Sequence, residues 1–103
     1  MLKDVYRGYL LIRLSKIGIE WDISEKIMKF QDKEKKWEVT YVSPIYGSWD
    51  LIVEVSFEEL EDFDQLITKL RSDEYIRDNM EELTSLVSSR ANYLALRDKY
   101  KKI

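Results

Sequence analysis

Three features of the sequence predict an α+β fold of the ferredoxin-like kind: a βαββαβ chain whose four-stranded antiparallel sheet carries two helices on one face. Short apolar or alternating runs mark four strands. Stripes of helical period fall between them, giving the order strand, helix, strand, strand, helix, strand. The chain has 103 residues with three glycines and one proline, so it holds one domain of long elements and short links. Two right-handed strand-helix-strand halves interleave to give such a sheet. The core is expected over about 8–89. A helical tail follows over about 90–103, carried by Tyr93, Leu96, Tyr100 and Ile103 at helical spacing.

Tyr9 to Leu14 is apolar and bounded by Gly8 and Ser15, which predicts a buried strand; the residues up to Arg7 show no pattern. Asp22 and Glu25 have the spacing of a capping box, opening a helix with Ile23, Ile27 and Phe30 on one face and running into the charged turn Gln31–Lys36. Trp37 to Val42 alternates, with Trp37, Val39 and Tyr41 on one face and Thr40 and Val42 on the other. Pro44 and Gly47 turn the chain. Leu51, Val53, Val55 and Phe57 then alternate against Ile52, Glu54 and Ser56 as the second arm of an antiparallel hairpin. Ser56 and Glu59 repeat the capping spacing, and Leu60, Phe63, Ile67 and Leu70 form the stripe of the second helix. Leu83 to Ser88 is the last strand. Apolar or aromatic groups occur on both faces of the hairpin, whereas helices cover only one. An apolar sheet face without cover is a contact surface, so self-association is expected.

With no cysteine and no histidine, disulfides, thiolate nucleophiles and imidazole bases are excluded, and no cofactor or metal is expected. Tyr9 to Ile12 is apolar, but Arg13 and Lys16 interrupt it too early for a signal peptide, and no apolar run approaches the roughly 20 residues of a membrane span. A cytoplasmic protein without membrane contact is the expectation. The 17 basic and 20 acidic residues leave a net charge of −3, which offers no concentrated basic face for direct nucleic-acid binding. Richness in Lys and Glu with few amides is a heat-adapted composition.

Residues 46–57, Tyr46-Gly47-Ser48-Trp49-Asp50 followed by an alternating strand leading into a helix, resemble the hairpin of the effector-binding (RAM) domain of Lrp/AsnC transcription regulators. Leu60 to Leu70 looks like that family's second helix, and Leu83 to Val87, with Thr84, like its last strand. The resemblance covers about Tyr9 to Ser88 and implies a non-catalytic module. Such domains pair through their sheets into a dimeric α+β barrel, assemble into rings, and bind small effectors, commonly amino acids, at contacts between dimers. By position it implies a ligand site at Gly47, Ser48, Trp49, Asp50 and, through a longer and more charged connection than usual, Thr84. A full-length Lrp/AsnC-type regulator is an implied partner. The helix-turn-helix domain of such regulators is expected to be lacking, because only eight residues precede the first expected strand.

Read physically, Gly47 lets the turn tighten and exposes its N–H to a carboxylate, while Asp50 is an acceptor for an ammonium group. A turn offering both suits a zwitterion. The plainer reading is that Gly47 satisfies turn geometry, Asp50 caps it and Trp49 packs. An alternative function is a small cofactor-free enzyme, an oxygenase or isomerase of the dimeric barrel type. Glu38 and Glu54 are the strand carboxylates that could pair across the hairpin as acid and base. Solvated edge charges, or ion pairs across a subunit interface, are the simpler account of them and the one the sequence favours.

Overall fold

The computed structural model describes residues 6–88; the expected C-terminal helix lies outside these. The chain runs β1 (Tyr6–Leu14), α1 (Glu20–Met28), β2 (Trp37–Pro44), β3 (Leu51–Phe57), α2 (Leu60–Ser72), α3 (Glu74–Asn79) and β4 (Met80–Ser88). The strands form one antiparallel sheet in the order β2-β3-β1-β4. The ferredoxin-like α+β expectation is met.

Alternation divides the sheet sharply. Leu10, Ile12 and Leu14 of β1 and Leu51, Val53, Val55 and Phe57 of β3 point to the helix side and are buried, together with Ile23 and Ile27 of α1 and Phe63, Leu66 and Leu70 of α2. This cluster is one contiguous core. The open side carries Arg7, Tyr9, Leu11 and Arg13 of β1, Ile52 and Glu54 of β3, and, by register, Glu82, Thr84 and Leu86 of β4. Tyr41 and Leu86 on that side are 54% and 52% exposed.

Several sequence expectations change in detail. β1 begins upstream of Tyr9, at least from Tyr6, and Gly8 is inside the strand. The rings above it explain the glycine: a Cβ there would lie 2.6 Å from Phe63 Cζ and 2.9 Å from Phe57 Cε1. α1 opens before Asp22, at Glu20. Gly18 turns at φ +101° and donates its N–H to the Glu20 carboxylate at 3.0 Å, which sets the start earlier than the Asp22–Glu25 spacing implied. α1 stops at Met28, and the charged turn is instead pinned by Asp32, which accepts the Lys36 N–H at 2.7 Å.

In β2 the register against β3 shifts between Val39 and Tyr41. This bulge inserts one residue and flips the side chains beyond it. Tyr41 therefore sits opposite Glu54 on the open side, not with Trp37 and Val39, while Val42 joins the core side opposite Val53. At α2 the N-cap is Glu59 rather than Ser56, which stays in β3; the buried Asp62 carboxylate accepts the Glu59 N–H at 3.1 Å. Leu60 is 60% exposed and Leu66 takes its place in the stripe. The last strand starts at Met80 rather than Leu83, so the expected long connection of 71–82 is instead the end of α2, then α3, then the start of β4. α3 is capped by Asp73 accepting from the Ile76 N–H, with Ile76 buried.

Candidate functional site

Local geometry brings the hairpin turn to the end of β1. Ile45 N–H donates to the Asp50 carbonyl at 2.9 Å, closing the turn, and Gly47 adopts φ +119°, open to glycine without strain. Asp50 N–H then donates to the Ile12 carbonyl at 2.9 Å. Asp50 Oδ2 accepts the Leu14 N–H at 2.7 Å. The carboxylate thus does the structural work that the plainer reading assigned to it, although it ties the turn to β1 rather than capping the turn itself. Gly47 and Ser48 are exposed, and Trp49 and Asp50 are half-buried.

Arg13, which sequence reasoning did not select, organises this corner. Its Nε and Nη2 donate to the Ser48 carbonyl at 3.0 and 2.9 Å, and its Nη1 pairs with Glu82 Oε2 at 2.6 Å. Its guanidinium lies over the Trp49 ring, 4.9 Å from the centroid. One side chain therefore joins β1, β4 and the turn. The signal in the sequence was slight: an arginine in an otherwise apolar strand, at the parity of the open face. Thr84 is opposite Leu11 in the β1–β4 ladder, and Glu82 is opposite Arg13. Thr84 is therefore one same-face step from Glu82 along β4, and the turn is reached from it through Arg13.

A second polar cluster occupies the open face away from the turn. Glu54 accepts Thr40 Oγ1 at 2.7 Å, Tyr9 Oη at 3.1 Å and Arg7 Nη1 at 3.1 Å. The Thr40 hydroxyl bond, with those of Tyr9 and Arg7, holds the Glu54 carboxyl below the usual carboxylate range against the opposing effect of burial. The same Glu54 bond pushes the Tyr9 phenol up. Glu38 faces the same side opposite Ser56, one step along the hairpin. A concavity of about 770 Å³ lies elsewhere, at the end of α1 and the start of β2, lined by Phe30, Trp37 and Glu38 among others. It contains none of the expected ligand residues. Among the described residues no group of three or more acidic side chains could hold a metal ion. No described helix is long and apolar enough to cross a membrane.

The fold is shared with solved structures. Hypothetical protein PHS023 from Pyrococcus horikoshii is 26% identical over 81% of this chain and 88% of its own, at a TM-score of 0.60. An AsnC family transcriptional regulator from Agrobacterium tumefaciens is 16% identical over 85% of this chain, at a TM-score of 0.65; this chain spans 56% of that regulator. A dimeric protein of unknown function and ferredoxin-like fold from Bacteroides fragilis NCTC 9343 is 10% identical, covering 85% of this chain and 98% of its own at a TM-score of 0.55. No protein-family model matches the chain, and no curated protein does. The chain is thus a ferredoxin-like domain similar in fold to an AsnC-type regulator, as the Gly47–Asp50 hairpin led us to expect.

Proposed function

We propose that the chain is a non-catalytic effector-binding and oligomerisation module. It takes an amino acid or similar small metabolite beside the turn of Gly47, Ser48, Trp49 and Asp50, at an interface between copies. The observation that carries this reading is the presence of groups of opposite charge at one corner of the fold. Asp50 supplies a carboxylate and Arg13 a guanidinium, beside a glycine turn whose backbone a ligand can approach. A zwitterion matches that arrangement. The open sheet face, with Tyr9, Leu11, Tyr41, Ile52 and Leu86, supports pairing of two copies face to face as a dimeric α+β barrel, with further assembly of dimers. A structural neighbour is described as dimeric, which accords with this.

The similarity to an AsnC family regulator supports a role in transcription regulation. In this reading the cytoplasmic module co-assembles with a full-length Lrp/AsnC-type regulator and does not itself touch nucleic acid. The rival reading, a cofactor-free oxygenase or isomerase, needs a carboxyl poised near neutral pH. Glu54 is held ionised by three donors, which favours a structural part for it.

A thermal-shift screen against the twenty amino acids, with light scattering on each hit, tests the proposal. A ligand that binds only the native state raises the melting temperature by mass action. The expected result is a reproducible shift with at least one amino acid, reduced in Thr84→Val, and a scattering mass above that of one chain. A folded protein that responds to none of the twenty contradicts the reading.

A further inference from the structure

We propose that Arg13 is the carboxylate-binding residue of this corner, taking the carboxylate of a small ligand on its outer Nη1/Nη2 edge in exchange for Glu82. This inference rests on the reading of the corner as an effector site. A guanidinium carries five N–H donors in one plane and no acceptor. Nε and Nη2 both address the Ser48 carbonyl, so the inner edge is committed to the backbone of the turn. On the outer edge Glu82 makes one hydrogen bond, from Nη1, where a carboxylate set squarely against the fork makes two.

The exchange is inexpensive because the pair it breaks is wet. The side chains of Arg13 and Glu82 are 39% and 51% exposed, and an ion pair in that setting is screened by solvent. The guanidinium itself stays in place, clamped by the Ser48 carbonyl and lying over Trp49. Its outer edge is thereby presented in a fixed orientation, which is what planar recognition of a carboxylate requires. Glu82 acts as the internal stand-in that keeps the cation paired while no ligand is bound.

The register then accounts for the distant member of the candidate site. Glu82 is opposite Arg13 and Thr84 opposite Leu11, so both side chains project from β4 on the open face. A carboxylate that replaces Glu82 arrives beside Thr84. Asp50, on the other side of Arg13, remains an acceptor for the ligand's ammonium group. Thr84 and the turn, separated by more than thirty residues of sequence, become two walls of one site with Arg13 between them.

Calorimetric titration of the full chain tests this, using each of the twenty amino acids and the α-carboxamide of whichever binds best. The wild type should bind the acid better than the amide. Glu82→Gln, on an exposed side chain, removes the competing carboxylate and should tighten acid binding roughly two- to fivefold while leaving the amide unchanged. Arg13→Lys keeps the charge but loses the fork, and should cut the acid-over-amide preference roughly tenfold, a ratio that a change in turn stability alone would not move. An amino acid that binds as tightly as its amide, indifferent to Glu82→Gln, overturns the exchange and leaves the effector reading standing. If neither the wild type nor Glu82→Gln binds any of the twenty, both are overturned.

Discussion

Asp50 Oδ2 accepts the Leu14 amide at 2.7 Å, so the residue that the resemblance marks as a ligand contact is also the tie between the hairpin turn and the end of β1. Losing one partner of a half-buried, charge-assisted bond leaves the amide unpaired. Asp50→Ala is expected to cost about 1–3 kcal/mol in denaturant unfolding. Asp50→Asn, whose amide oxygen can still accept, should cost less. Equal stability of the alanine variant and the wild type would show that the tie carries no weight.

Gly8 shows how closely the core packs against the sheet. With Phe63 Cζ 2.6 Å and Phe57 Cε1 2.9 Å from where a Cβ would stand, Gly8→Ala must displace two stacked rings whose centroids are 4.8 Å apart. Overpacking of this kind costs about 1–3 kcal/mol. Urea unfolding of the variant is expected to show a lower midpoint with an unchanged slope.

The Glu54 cluster gives the fold an acid-sensitive contact. The folded-state pKa of Glu54 lies below its ordinary value, foremost through the Thr40 hydroxyl and then through Tyr9 and Arg7. Its contribution to stability is therefore present above the usual carboxylate range and lost as pH falls through the folded value. As pH falls through and below the usual carboxylate range the wild type should lose stability more steeply than Glu54→Gln. Parallel curves for the two proteins would remove Glu54 from the account. At the alkaline end the raised Tyr9 acts in the opposite sense: its contribution is present below the usual tyrosine range and lost as pH rises through the folded value.

Ser24 sits in α1 with 4% exposure, and its hydroxyl has no hydrogen-bond partner among the described residues. Burying an unsatisfied hydroxyl is unfavourable. Ser24→Ala is expected to raise stability by up to about 1 kcal/mol, read as a higher melting temperature.

Much of this fold was legible in the sequence because strand alternation and helical stripes are strong local signals. Val39, Val53, Ile23, Phe63 and Leu70 fell where their periodicity put them. What the sequence hid depended on long-range geometry. The bulge that turns Tyr41 outward leaves no mark in the run from Trp37 to Val42, because Tyr41 and Val42 beyond it are both apolar and either could continue the buried face. Gly8 looked like a strand boundary because the rings that exclude a side chain lie some fifty residues downstream. The α3 turn was obscured by its charges, although Asp73 capping Ile76 is a recognisable start. Of the candidate site, Gly47 to Asp50 was visible as a motif. Arg13 and Glu82 were not, since neither belongs to a local pattern and only the β1–β4 register places them together.

Mapping of backbone amide shifts by NMR during titration with the amino acid that most raises the melting temperature tests the central claim most directly. The largest changes are expected at Gly47, Ser48, Trp49 and Asp50, at Arg13 and at Thr84, with little change around Phe30 and Trp37 in the concavity beside α1. Changes centred on that concavity, or no saturable change at the turn, would contradict it.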